Sequence, residues 1–151
     1  MGSVLLRFYD RLRDPSSHAA ARGEAMVRGF DALRAHKYCL LVTYRRSGEP
    51  VPTPVWFGLD DAGCIYVRTP TDSGKVKRVR ADSRVLVGPA NARGKPLGPL
   101  AQGNARVVVG MAERDDAECT VQANYGLGRR VFEAVFASRG EATTYLVVTP
   151  T

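Results

Sequence analysis

Thr69-Pro-Thr-Asp-Ser-Gly-Lys-Val-Lys-Arg-Val-Arg80 is a polar turn that follows a strand-like run and opens a short, basic helix. Ser73, Gly74 and Lys75 fall at the first turn of the predicted helix, where unpaired backbone N–H groups and the positive end of the helix dipole attract an anion. Ser73 also fits the role of an N-cap that bonds its own helix, and the two roles are compatible. Lys75 is either a phosphate partner or one more solvated lysine in a basic run. The segment predicts a turn suited to a phosphate group.

The composition predicts one compact domain with a sizeable core. The chain has 151 residues, of which 44% are hydrophobic and 25% are charged, as in ordinary soluble domains. Its net charge of +7 favours anionic partners. Charge alone does not distinguish among a phosphorylated small molecule, a nucleic acid and an acidic surface as the partner.

The cysteines and histidines do not have the spacing of a structural framework. Cys39, Cys64 and Cys119 are odd in number and far apart, which argues against disulfides and a zinc site. His18 and His36 have no metal-ligand spacing to each other or to carboxylates. We expect buried or half-buried thiols and no metal.

Targeting and membrane signals are not evident in the sequence. The segment 1–21 has no apolar core of signal-peptide length, and no window approaches 18 consecutive apolar residues. We therefore expect a protein of the reducing cytoplasm with no membrane span.

The N-terminal third is predicted to be an arm followed by a helix. Residues 1–22 have interspersed charges and a Pro-Ser-Ser break. A helix is predicted from Gly23 to His36, because Met26, Phe30 and Leu33 fall on one face at three- and four-residue spacing.

The remainder of the chain is predicted to be mainly β, a β-barrel with peripheral helices that occupies residues 23–151. Six short strands, most of them joined by tight turns, favour an antiparallel barrel over a βαβ fold. The predicted strands are Tyr38–Tyr44, Val51–Leu59, Cys64–Arg68, Arg84–Gly88, Leu100–Val109 and Thr144–Val148. Two further helices are predicted at Glu113–Tyr125 and Arg129–Ser138.

Two prolines single out the second strand. Pro52 and Pro54 flank Thr53 and remove N–H donors from alternate positions. That side of the strand cannot complete a hydrogen-bonded ladder, so we expect it to face a ligand, a loop or solvent.

The order and spacing of several short motifs resemble those of the split β-barrel flavin and deazaflavin oxidoreductases, which are related to pyridoxamine 5'-phosphate oxidase. The resemblance covers roughly residues 38–150 and implies a split β-barrel of the FMN-binding type. The motifs are Leu41-Val-Thr-Tyr-Arg-Arg-Ser-Gly-Glu-Pro50, Val51-Pro-Thr-Pro-Val-Trp-Phe57, Ile65-Tyr-Val-Arg-Thr69, Ser73-Gly-Lys-Val-Lys-Arg78, Ser83-Arg-Val85, Asn91-Ala-Arg-Gly-Lys-Pro-Leu-Gly98, Gly103-Asn-Ala-Arg106, Tyr125-Gly-Leu127 and Tyr145-Leu-Val-Val-Thr-Pro150.

Within that superfamily the chain looks like the B-type branch that uses the deazaflavin coenzyme F420. The combination of Thr53-Pro-Val-Trp56, Ser73-Gly-Lys-Val-Lys-Arg78 and Ala92-Arg-Gly-Lys-Pro-Leu-Gly98 carries this likeness. The oxidase branch has an Arg where this chain has Pro52, which counts against pyridoxamine phosphate oxidase activity. FMN stays open as the cofactor, because the phosphate-binding turn is common to both branches.

The resemblance implies a set of cofactor-binding residues. The phosphate turn would be Ser73, Gly74 and Lys75, with Arg68 and Thr69 as its wall. The strand along the flavin or deazaflavin ring would be Thr53, Pro54, Val55 and Trp56, and Pro89 and Ala90 would line the same cavity. Lys77 and Arg78 would reach the acidic tail of a deazaflavin or be solvated. Trp56 has core packing as its alternative role.

The implied activity is hydride transfer from reduced F420 to an unsaturated small-molecule acceptor such as a quinone, bilin, enone or lactone. The resemblance also implies a homodimer with cofactor sites at the subunit interface. It identifies no catalytic acid, and Tyr125 is a proton donor, a residue that lines the substrate pocket or a buried structural residue.

Two other classes of function remain as alternatives. A non-enzymatic carrier of flavin, deazaflavin or haem would use the same barrel. Nucleic-acid binding is disfavoured, because no aromatic residue lies between Thr69 and Arg80 to stack on bases.

Overall fold

The computed structural model describes residues 11–125 and 142–151. The helices are α1 (Ser16–Ala21), α2 (Gly74–Ala81) and α3 (Met111–Tyr125), with a 3₁₀ turn at Asp31–Leu33. The strands are β1 (Tyr38–Tyr44), β2 (Pro50–Trp56), β3 (Gly58–Leu59), β4 (Ile65–Pro70), β5 (Arg84–Ala90), β6 (Ala101–Val107) and β7 (Thr143–Pro150).

The seven strands form one curled antiparallel sheet in the order β2-β1-β5-β6-β7-β4-β3. β2 and β3 lie at opposite edges of this sheet, although only Phe57 separates them along the chain. A single residue cannot span a flat seven-stranded sheet, so the sheet must curl until its two edges approach each other. The side chain of Phe57 is buried where they meet. The fold is therefore a mainly β half-barrel with a few helices, and the predicted mainly β barrel class is confirmed.

The core lies inside this curl and follows the two-residue alternation of strands. Cys39 and Leu41 of β1 and Ile65 and Val67 of β4 face inward. α2 closes one opening, because its apolar Val76 and Val79 enter the same core. The first turn of α2 is thus held against the ends of the strands.

The outer face of the sheet is covered at two places. α1 packs on β2 and contributes Ala21 to a cluster with Leu40 and Val42. α3 packs on β3, β4 and β7 through Ala117 and Val121. Residues 16–21, inside the predicted arm, are therefore in contact with the sheet.

The predicted helix from Gly23 to His36 is wrong, since only the 3₁₀ turn Asp31–Leu33 forms there. The N–H groups of Met26 and Val27 both donate to the carbonyl oxygen of Leu100, at 2.9 and 3.4 Å, and so pair with the edge of β6 instead of with a helix. Gly29 then adopts a positive φ of 73°. Met26 is 81% exposed, so the apolar spacing did not mark a buried helical face.

The predicted strand Val51–Leu59 is also wrong as a single element, because it divides at Phe57 into β2 and β3. The other five predicted strands and the helices at α2 and α3 are confirmed with shifts of a few residues at their ends. The predicted helix Arg129–Ser138 lies outside the described residues. β2 lies at a sheet edge, as its prolines predict.

Candidate anion and cofactor site

The predicted phosphate turn forms the first turn of α2. Ser73 is extended, with φ −63° and ψ 153°, and its Oγ accepts a hydrogen bond from the Val76 N–H at 3.5 Å. The hydroxyl oxygens of Thr69 and Ser73 are 3.0 Å apart. Ser73 is therefore the N-cap of α2, and Thr69 adds a second hydroxyl beside the exposed backbone of Gly74.

The side chain of Arg78 folds back over this turn. Long helical side chains lean toward the N-terminus, so a residue four positions on covers the first turn. Arg78 Nε donates to Thr43 Oγ1 at 2.7 Å, and Nη1 lies 2.8 Å from the position that a Cβ on Gly74 would occupy. The guanidinium group is thus held above Gly74.

This arrangement gathers donors and positive charge at one place. The first backbone N–H groups of a helix lack intrahelical partners, and the helix dipole is positive there. The bonded pair of hydroxyls on Thr69 and Ser73 adds one further donor and the guanidinium of Arg78 adds others, and the half-buried Lys75 lies in the first turn of the same helix. The absence of a side chain on Gly74 leaves room for the Arg78 guanidinium beside the backbone. Donors of this kind fit a phosphate group.

Two buried threonines support the turn from the sheet. Thr43 ends the inward-facing row of β1, and Thr69 ends the inward-facing row of β4. Both are fully buried, with 0% and 1% of their surface exposed. A buried hydroxyl requires a hydrogen-bond partner, and each of these finds one at the turn, Arg78 and Ser73 respectively.

The predicted ring-binding strand lies along the edge formed by β2. Val55 enters the core, whereas Thr53 and Pro54 are half-buried. Trp56 packs in the cluster under α3 and meets Tyr38 edge-to-face, with 6.0 Å between ring centroids. Core packing of Trp56 is therefore observed on at least one face of its ring.

The predicted residues form two groups at the two ends of β1. Tyr38 pairs with both Trp56 and Ala90, whereas Thr43, five residues away, pairs with Val51 and contacts the phosphate turn. Five strand residues span about 17 Å. Pro89 and Ala90 therefore lie with Trp56, away from Ser73, and both are buried.

Arg68 lies on the opposite face of β4 from Thr69, because successive strand residues alternate. Its Nη1 is 3.7 Å from Glu118 Oε1 of α3, and both side chains are mostly buried. The structure thus brings Thr69, Ser73, Gly74 and Lys75 together and places Arg68 under α3.

Sequence reasoning missed Thr43 as a site residue and assigned Arg78 elsewhere. A signal for Thr43 was present, since it is the polar member of an inward-facing row that begins with Cys39 and Leu41. The signal for Arg78 was its four-residue spacing from Gly74, which places both on one helical face.

Metal-binding clusters and membrane-spanning helices are both absent from residues 11–125 and 142–151. No group of three or more His, Cys, Asp or Glu residues in these ranges could hold a metal ion. No helix in the same ranges is long and apolar enough to cross a membrane. Burial raises the pKa of the Cys39 thiol, so this cysteine is not a candidate nucleophile.

Comparison with known proteins shows similarity of fold to solved structures but no match to a family model or a curated protein. Among solved structures, an F420 reductase superposes with a TM-score of 0.50 at 18% identity, over 83% of this chain and 96% of its own. A FAD-binding protein from Mesorhizobium loti gives 0.56 at 16% identity, over 78% and 81%.

A third similar structure comes from Clostridium acetobutylicum and is described as related to general stress protein 26 of B. subtilis, in the pyridoxinephosphate oxidase family. It gives a TM-score of 0.56 at 14% identity, over 79% of this chain and 78% of its own. At these identities the likeness is one of fold. The predicted split β-barrel of the pyridoxamine 5'-phosphate oxidase type is therefore confirmed.

Proposed function

We propose that this protein is an oxidoreductase that binds the deazaflavin coenzyme F420 and reduces an unsaturated small molecule. The observation that carries the binding of a phosphate-bearing cofactor is the set of donors at the first turn of α2, with the Thr69 and Ser73 hydroxyls and the Arg78 guanidinium around an exposed Gly74. The choice of F420 over FMN rests on the likeness of the motifs at residues 53–56, 73–78 and 92–98. The fold gives independent support, since structures that share it include an F420 reductase and a FAD-binding protein.

The phosphate of the cofactor would be held by Ser73, Gly74 and Lys75, with Thr69 beside them. Backbone N–H groups at the start of a helix can bind a phosphate even where no charged side chain contacts it. The positive charges of this region then strengthen each hydrogen bond.

The flat ring system would lie along Thr53–Trp56. This strand is at the edge of the sheet, and its prolines leave that edge without a full set of N–H donors. A planar ring can therefore approach the backbone where another strand cannot pair. Pro89 and Ala90 would close the far end, beside Trp56, across β1.

When bound in its reduced form, the coenzyme supplies a hydride. The protein's own residues would fix the distance between donor and acceptor and keep water out. An electron-poor acceptor of the quinone, bilin, enone or lactone type suits this chemistry. Among the described residues we assign no proton donor to the reaction.

Each pocket would be completed in a homodimer, with the cofactor between two copies of the chain. We further propose that the protein works in a reducing cytoplasm, where Cys39, Cys64 and Cys119 stay as free thiols.

FMN binding, with or without catalysis, is the second candidate. The donors at α2 recognise a phosphate and carry no feature that distinguishes a flavin from a deazaflavin. A carrier without reductase activity would use the same turn.

Titration of tryptophan fluorescence separates these candidates. Trp56 is the sole tryptophan of the chain and lies at the end of the proposed ring strand, so a bound ring should quench it. Saturable quenching by F420 at micromolar concentration, with much weaker binding of FMN, supports the proposal. Preferential binding of FMN would identify the protein as a flavin-binding protein. If neither cofactor changes the fluorescence, both the F420 and the FMN candidates are refuted.

Catalysis is then tested by mixing the protein with reduced F420 and a panel of acceptors, and following the return of the oxidised coenzyme's absorbance. Acceptor-dependent oxidation above the protein-free rate identifies a reductase. If the protein binds F420 tightly but reduces none of a quinone, an enone and a lactone, it is a cofactor carrier without reductase activity.

A further inference from the structure

The hydrogen bond between Thr43 and Arg78 connects the sheet to the phosphate turn. We propose that Thr43 is a positioning residue, which fixes the Arg78 guanidinium above Gly74 so that Arg78 provides a preorganised positive charge for the bound phosphate. The inference rests on the proposed function for the identity of the anion as a cofactor phosphate. The contacts among Thr43, Arg78 and Gly74 on which the inference depends are observed in the structure without any ligand identity being assumed.

Thr43 can hold Arg78 because it is itself immobile. Its side chain is completely buried at the end of the inward-facing row of β1, and β1 lies between β2 and β5 inside the sheet. Nε of Arg78 donates to its hydroxyl over a sequence separation of 35 residues, at 2.7 Å. The turn is thereby tied to a rigid strand.

Fixing the Nε atom determines which way the rest of the guanidinium points. The group is planar, so the remaining N–H donors form a fork of set direction. Nη1 lies over Gly74, at the start of the helix. A long arginine side chain loses much conformational entropy when it binds a ligand, and an arginine that is already held loses less.

The Arg78 charge lies at the same end of α2 as the positive end of the helix dipole. A cation is favoured near the C-terminus of a helix and disfavoured near the N-terminus, where the dipole is positive. Arg78 starts in the middle of α2 and extends back to the unfavourable end. By contrast, Arg80 on the same helix is exposed to solvent. An anion bound at Gly74 would lie next to both the positive end of the dipole and the guanidinium.

Gly74 has a defined part in this arrangement. Its φ is not positive, so alanine could adopt its backbone conformation, yet the added Cβ would lie 2.8 Å from Nη1. The atom it meets is the far end of a flexible side chain, which would swing away. Gly74→Ala should therefore displace the charge and break the Thr43–Arg78 hydrogen bond, while the backbone of the turn stays in place.

The test compares Thr43→Val, Thr43→Ser and Gly74→Ala with the wild type, and Arg80→Ala serves as a control that removes one charge from the same helix. Binding of inorganic phosphate is measured by the broadening of its ³¹P NMR signal. Binding of F420, and of the deazaflavin that lacks the phosphate-linked side chain, is measured by tryptophan quenching.

We expect Thr43→Val and Gly74→Ala to weaken phosphate and F420 binding about tenfold, the effect of one hydrogen bond to a charged group. Affinity for the phosphate-free deazaflavin should stay at its wild-type value. Thr43→Ser retains the hydroxyl and should restore binding. In Gly74→Ala the helix preference of alanine opposes the loss of the Thr43–Arg78 hydrogen bond, so its thermal midpoint should fall no further than that of Thr43→Val. Unchanged affinity for the phosphate-free deazaflavin then shows that the loss of phosphate binding is not a loss of folding.

The outcomes separate the inference from the proposed function. F420 binding that is unchanged in both Thr43→Val and Gly74→Ala overturns the inference and leaves the proposed function standing. Phosphate binding that depends on Thr43 and Gly74, in a protein that ignores F420, supports the inference and overturns the proposed function. A wild type that binds neither phosphate nor F420 overturns both the inference and the proposed function. If Arg80→Ala weakens binding as much as Thr43→Val does, the positioning role of Thr43 is overturned.

Discussion

Gly58 and Thr120 touch so closely that a Cβ on Gly58 would lie 2.2 Å from the carbonyl oxygen of Thr120. Gly58 begins β3 and Thr120 is in the middle of α3, so this contact sets how near the helix lies to the sheet. One turn further along α3, Asn124 Nδ2 donates to the carbonyl oxygen of Phe57 at 2.8 Å. The helix is thereby fixed to the residue at which the two sheet edges meet.

Gly58→Ala should lower the free energy of unfolding. Overpacking of a close contact costs about 1 to 3 kcal/mol, and here the obstacle is the backbone of α3. The reduced entropy of the unfolded chain returns about 0.4 to 1 kcal/mol. We expect a net destabilisation of about 1 to 2 kcal/mol, measured by urea unfolding.

Gly74→Ala is the matched control for this change, because the same added methyl group meets only a side chain there. It should lose less stability than Gly58→Ala, because the helix preference of alanine offsets the loss of the Thr43–Arg78 hydrogen bond. An unaltered urea midpoint for Gly58→Ala would show that α3 can move away from the sheet at no cost.

Lys75→Ala should weaken the binding of F420. A charge-assisted hydrogen bond to phosphate contributes about 1.5 to 3 kcal/mol, so the Kd should rise at least tenfold in a fluorescence titration. Lys95→Ala removes the same charge from an exposed loop position and controls for net charge. A Kd that does not change in Lys75→Ala removes this lysine from the site.

Glu113→Gln should reduce stability at neutral pH and have no effect in acid. Glu113 accepts hydrogen bonds from the Arg106 guanidinium and from the Val109 N–H at 3.1 Å, and the bond from Arg106 is the main cause that lowers its pKa below the ordinary 4.5. A lowered folded-state pKa contributes stability above the unfolded-state pKa, which is lost as the pH falls through the folded value.

The expected difference between wild type and Glu113→Gln is about 0.5 to 1 kcal/mol at pH 7, because the pair is partly exposed and screened. Urea midpoints measured from pH 7 down to pH 2 should converge. A difference that persists at the acid end would assign the effect to packing instead of to charge.

The three thiols should react in a fixed order with a disulfide reagent such as DTNB. Cys119 is exposed, Cys64 is half-buried, and Cys39 is buried with a raised pKa. We expect one fast reaction, one slow reaction, and a third that appears only in denaturant. Three equally fast thiols under native conditions would contradict the burial of Cys39.

Much of this fold could be predicted from local patterns, because the strands alternate and the turns carry their own residues. Ser73 illustrates this: an N-cap before a basic amphipathic run specifies a helix start without tertiary information. The prolines of β2 likewise specify an edge strand. Both features are local in sequence.

The sequence-based predictions were wrong where contacts between distant parts of the chain determine the local structure. The apolar spacing of Met26 and Phe30 suits a helix, yet the Met26 N–H pairs with Leu100 instead. The division at Phe57 depends on closure of the sheet, which no local pattern encodes. For the same reason the Thr43–Arg78 contact was missed, since its partners are 35 residues apart.

β7 lies between β6 and β4 in the sheet, although it follows both along the chain. Once Val107 has been translated, and until residues 143–150 follow, β4 and β6 therefore each have an open edge that only β7 can pair. Exposed strand edges invite pairing with other chains. The nascent protein should thus depend most on chaperones just before β7 emerges, and a stop codon ahead of Thr143 should yield an aggregating product instead of a smaller folded domain.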